Sequence, residues 1–115
     1  MRAIKKALWT IETGDINNVR EFCDEVRGYL PLHESIYAVI MSNGEVIEVC
    51  VDCSFTFMYT SAREATRIDP ETDASAELIT CHIKTRKDSK PLDVTCYLTE
   101  EFIKKMETKL LEGEF

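Results

Sequence analysis

Glycine and proline are scarce in this chain, with four glycines and three prolines in 115 residues. No Walker-type loop, glycine-rich dinucleotide motif or metalloprotease helix is present, and so few glycines leave little room for phosphate-cradle chemistry. Long apolar runs are lacking as well. Nothing approaches the roughly 20 apolar residues that a membrane helix requires. Arg2, Lys5 and Lys6 imitate the basic start of a leader, but Ala7 to Ile11 is too short an apolar run before Glu12. Basic excess is missing too: fourteen Lys and Arg stand against twenty-one Asp and Glu, a net charge of −7. This balance weighs against phosphate-driven nucleic-acid binding and against anionic membranes, while permitting protein partners. The five cysteines are odd in number and show no framework of paired spacings. Reduced, mostly buried thiols in a cytoplasmic protein are therefore expected. The length suits a single α+β domain spanning residues 1–115.

What the chain does contain is hairpin signal. Asn43-Gly44 lies between the runs Ile36–Ile40 and Val46–Val51, the pairing of turn and β-branched residues typical of a tight hairpin. A two-residue turn sets Ile40 opposite Ile47, Ala38 opposite Val49 and Ile36 opposite Val51 on one face. The other face then carries Met41 with Val46, Val39 with Glu48, and Tyr37 with Cys50. A second hairpin is expected around Asp88-Ser89, with Ile83 meeting Val94, Cys81 meeting Cys96 and Ile79 meeting Leu98. Its reverse face pairs Lys84 with Asp93, His82 with Thr95 and Thr80 with Tyr97. Phe55–Tyr59 reads as a further strand, and Ser61 with Glu64 has capping-box spacing for a short helix.

Helical patterning flanks the hairpins. Ile4, Ala7, Leu8 and Ile11 recur at helical spacing, although Leu8-Trp9-Thr10-Ile11 would serve equally well as a strand. Ile16, Val19, Phe22, Cys23 and Val26 predict a second helix, capped by Asp15 and ending before Pro31. Thr99 caps a terminal helix with the stripe Phe102, Ile103, Met106 and Leu110, ending near Gly113. The expected architecture is an antiparallel sheet of about five strands, with two N-terminal helices and one C-terminal helix packed on one face.

Few constellations carry chemistry. Cys50 and Cys53 have the spacing of a zinc knuckle, but strand residues three apart point to opposite faces, and no glycine or proline turns the loop. Cys81 opposite Cys96 reads as two small side chains filling a core layer. His33 stands beside Glu34 and Ser35, yet a triad needs convergence in space rather than in sequence. No metal or cofactor is expected, and no catalytic residue.

Glu12-Thr13-Gly14-Asp15-Ile16 with Pro31-Leu32-His33 resembles pieces of ankyrin repeats, but the spacing is too short and strands follow instead of a second helical unit. The paired helices ahead of an antiparallel sheet resemble the cone-shaped nuclear-transport-factor-2-like folds. That resemblance implies a ligand or catalytic pocket between helices and sheet, with Trp9, Tyr59 or Phe57 as lining.

One surface stands out. If Ile36, Ile40, Ile47, Val49, Ile79, Ile83, Val94 and Leu98 face the helices, the opposite face should be polar. In the first hairpin it is semi-apolar: Tyr37, Val39, Met41, Val46 and Cys50, bordered by His82 and Tyr97. These seven residues are the candidate partner-binding site. The reading is a small acidic protein-interaction module, a regulator or inhibitor of the size a virus encodes, engaging another protein or its own copy as a homodimer. The alternative is a small-molecule or catalytic pocket.

Overall fold

A computed structural model describes residues 2–27, 36–40, 46–60, 74–83 and 90–115. The elements are β1 (Arg2–Glu12), α1 (Val19–Arg27), β2 (Ile36–Ile40), β3 (Val46–Thr60), β4 (Ser75–Ile83), β5 (Leu92–Asp93) and α2 (Glu100–Leu111). All strand pairs are antiparallel, in the order β1-β3-β4-β5, and β2 also pairs with β3. The chain is therefore α+β, as expected, but its elements are distributed differently.

The first expected helix is a strand. β1 pairs with β3 along its whole length, from Arg2 opposite Thr60 to Glu12 opposite Cys50. The apparent helical stripe is split between two faces: Ala7 and Ile11 are buried, whereas Ile4 and Leu8 are exposed. β3 explains the outcome. It is 15 residues long, because the expected Phe55–Tyr59 strand continues the hairpin strand without a break. Its two halves find different partners on one side, β2 against Val46–Val51 and β4 against Cys53–Thr60. Its other side would be left unpaired across Cys50–Thr60 without β1, and a buried strand edge must find hydrogen-bond partners. With β1 a strand, the paired N-terminal helices of the cone-shaped resemblance are absent.

Along β3, Val49, Val51, Cys53, Phe55 and Phe57 are buried on the side that faces the helices. They form one cluster with Phe22, Cys23 and Val26 of α1 and Phe102 and Met106 of α2. Both helices carry the apolar faces expected for them. The cap of α1 is Asn18 rather than Asp15: its side chain accepts from the Glu21 N–H and donates to the Glu21 carboxylate, each at 3.0 Å. Asp15 instead accepts the Glu12 N–H at 3.0 Å within a single 3-10 turn, Thr13–Asp15. For α2, the Thr99 hydroxyl accepts from Phe102 N–H at 3.1 Å. Its other end closes on Gly113 in the left-handed region (φ 72°), with Gly113 N–H on the Leu110 carbonyl and Glu114 N–H on that of Lys109.

The first hairpin keeps the expected register through Ile36–Val51, Tyr37–Cys50, Ala38–Val49 and Val39–Glu48, then shifts so that Ile40 pairs with Val46. Met41 and the Asn43-Gly44 turn lie outside the described residues, as do the short helix expected at Ser61 and the Asp88-Ser89 turn. The second hairpin is corrected. His82 pairs with Asp93 and Ile83 with Leu92, two residues from the expected register, and pairing ends there. Asp93 stops the strand: its carboxylate accepts the Thr95 N–H at 2.9 Å and the Thr95 hydroxyl at 2.6 Å, folding Thr95–Tyr97 into a 3-10 turn. The Thr95 hydroxyl in turn accepts from Cys81 N–H at 2.8 Å.

These hydrogen bonds from Thr95 hold Asp93 below its ordinary value of 3.8, helped by nearby His82 and opposed by partial burial. The sign follows from a depressed folded value: the contribution is complete above pH 3.8 and is lost as pH falls through the lower folded pKa. Asp93→Asn is expected to lower stability at neutral pH and to remove this part of the acid-side slope, measured by urea unfolding between neutral pH and about pH 2.

Candidate functional site

The sheet surface away from the helices is organised in rows across the strands. Ile4, Met58 and Glu77 form one row, Lys6, Thr56 and Thr80 the next, and Leu8, Ser54, His82 and Asp93 a third. Thr10 then meets Asp52, the Thr10 hydroxyl donating to the Asp52 carboxylate. Glu12, Cys50 and Tyr37 follow, and Val39 pairs with Glu48 beyond them. Ile4 and Leu8 keep 61% and 65% of their surface exposed, so apolar side chains interrupt this face.

Register places Tyr37, Val39, Cys50 and His82 on this common face. Val46 sits opposite Ile40, and Met41 falls outside the described residues. Tyr97 does not join them. It lies in the 3-10 turn, with its ring edge-on to Phe22 at 5.6 Å, so it belongs to the α1 side of the molecule. The cause is the Asp93 turn, which ends the strand before Tyr97 is reached. Ile4 and Leu8 were not singled out by the sequence. Both were hidden by the helical reading of β1, whereas Ile79, expected in the core opposite Leu98, is 41% exposed at a bulge in β4. Alternation along Ile4-Lys5-Lys6-Ala7-Leu8 does not distinguish the two readings, because Lys occupies one position on each face.

The cysteines separate as strand geometry requires. Cys50 is half-buried and Cys53 fully buried, consistent with opposite faces. Burial, with Glu12, Glu48 and Asp52 nearby, pushes the Cys50 thiol up. Cys96 is exposed and does not meet Cys81. Cys81 instead hydrogen-bonds with Cys53 in the core, and that bond together with burial holds its thiol far above the ordinary range. Among the described residues, no group of three or more His, Cys, Asp and Glu is arranged to hold a metal ion. No helix among them is long and apolar enough to cross a membrane.

Among the described residues, large apolar side chains occupy the space between helices and sheet. Phe55, Phe57 and Met106 are fully buried and Phe102 nearly so, and the Phe55 ring lies 5.9 Å from that of Phe102. An open cavity of about 700 Å³ lies instead at the margin, where Lys5 and Trp9 of β1 and Tyr59 of β3 meet Leu110, Glu114 and Phe115. Phe115 packs edge-on to Trp9 at 5.7 Å. Lys109 stands 4.4 Å over the Trp9 ring while pairing with Glu114 at 3.3 Å, and Lys5 stands 5.6 Å over Tyr59. Lys5 and Lys109 are thus partnered by rings and a carboxylate.

Compared with protein-family models, with curated proteins and with solved structures, the chain matches none.

Proposed function

We propose that this protein is a non-enzymatic interaction module that binds another protein through the helix-free face of its sheet, acting as a regulator or inhibitor. The observation that carries this reading is the exposure of Ile4 and Leu8 while the apolar sides of both helices are buried. Apolar side chains set among polar ones on a rigid sheet supply the desolvation that a protein partner uses. Tyr37, Val39, Cys50 and His82 extend the same face, and the net charge of −7 favours a partner with a basic rim. Ile4→Lys and Val39→Lys are expected to leave the circular dichroism spectrum intact and to abolish stoichiometric capture of the protein partner. Unchanged capture by both variants sinks the reading.

The cavity lined by Trp9 and Tyr59 supports a second reading, small-molecule binding at the β1 margin. Trp9 is the sole tryptophan, so occupancy should change its emission directly.

A further inference from the structure

We infer that β1 pairs with β1 of a second copy, antiparallel and centred on Ala7, to make a continuous sheet across a two-fold dimer. β1 is 11 residues long, and no described strand covers the edge it turns away from β3. Its register with β3 runs without a shift, so no bulge twists that edge out of use, and no proline interrupts it. Lys5 and Lys6 are the protective charges such an edge usually carries, but they sit on one side of the centre and leave Ala7 to Ile11 bare.

Charge decides the occupant and the register. A two-fold axis perpendicular to the sheet keeps buried residues on the helix side only when odd positions meet odd and even meet even. Centring the pair on Lys5 or Lys6 sets two lysines directly against each other, and parallel pairing in register does so twice. Centring on Ala7 opposes no like charges and pairs every residue of the strand. Arg2 then meets Glu12 of the other copy, Ile4 meets Thr10, Lys5 meets Trp9 and Lys6 meets Leu8. The Arg2–Glu12 pair forms twice, and Lys5 gains an aromatic neighbour. The edge is thus complementary to itself. This inference stands apart from the face-binding proposal, since it uses backbone groups of the edge and not the apolar face.

Sedimentation equilibrium on the full chain tests it. Wild type is expected to be a dimer, with β1 amides that are not bonded to β3 protected from hydrogen exchange at high concentration and released on dilution. Leu8, exposed and opposite Lys6 of the other copy, carries the decisive comparison. Leu8→Lys should weaken the dimer about tenfold through two like-charge pairs, whereas Leu8→Glu should hold it at least as tightly as wild type. If both variants weaken self-association equally, association runs through apolar contact and the register is overturned. A wild-type chain that stays monomeric, or variants that both leave the dimer unchanged, overturns the pairing outright. Circular dichroism of each variant confirms that the exposed site leaves the fold intact.

Discussion

Phe55→Ala is expected to lower the unfolding free energy by about 3–5 kcal/mol, the range for deleting a buried aromatic side chain. The row across the sheet at this point is Ala7, Phe55, Cys81: one large side chain between two small ones, all three buried. The small neighbours leave room in which Phe55 meets Phe102 of α2 at 5.9 Å and Phe57 at 6.4 Å. Alanine would make the row small throughout, and neither Ala7 nor Cys81 has the reach to fill the void beneath Phe102. The backbone cannot collapse readily, because β3 is held by strands on both sides there. Phe55→Leu keeps part of the volume and should lose about 1–2 kcal/mol. Urea denaturation separates the cases. A loss below about 1 kcal/mol for Phe55→Ala would show that this layer is not close-packed.

How much of this arrangement the sequence reveals depends on whether local signals agree with long-range pairing. At Tyr37–Cys50 they agree: alternation on both strands and a two-residue turn specify one register, and β2 and β3 adopt it until the shift at Ile40. Thr99 with Phe102, Ile103, Met106 and Leu110 is equally legible, because cap and stripe lie within a few turns of one helix. β1 is different. Ile4, Ala7, Leu8 and Ile11 satisfy a helical period, and only the unpaired length of β3, some forty residues later in sequence, turns the segment into a strand. A buried strand edge outweighs a weak local preference. The second hairpin fails for a local reason: the Asp93 carboxylate competes for the backbone at Thr95 and ends the ladder. Tyr97 left the candidate face through that one turn.

The face and the edge proposed for recognition share a physical origin. β3 commits its buried side chains to the helices, so its alternate residues, with those of β1 and β4, form a stiff polar-apolar surface with nothing described above it. β1 completes β3 and in doing so becomes an edge that no described strand covers. Rigidity matters for either use, since a preformed strand or face loses little conformational freedom when a partner arrives.

Glu107→Ala is expected to destabilise the protein by about 1–3 kcal/mol, a large effect for a half-buried surface carboxylate. In β4, Leu78 pairs with Phe57 and Thr80 with Thr56, which leaves Ile79 as an extra residue in a bulge. The bulge disturbs the ladder, and the Leu78 N–H is bonded instead by the Glu107 carboxylate of α2 at 2.8 Å. Removing that acceptor leaves a part-buried amide without the charged partner it has in the folded protein. Glu107→Gln keeps a carbonyl oxygen at the same reach and should recover roughly half of the loss. Hydrogen exchange at Leu78 gives the direct measurement: fast exchange in Glu107→Ala at concentrations of denaturant that leave the core protected, and intermediate exchange in Glu107→Gln. Equal protection in all three proteins would assign the amide another partner.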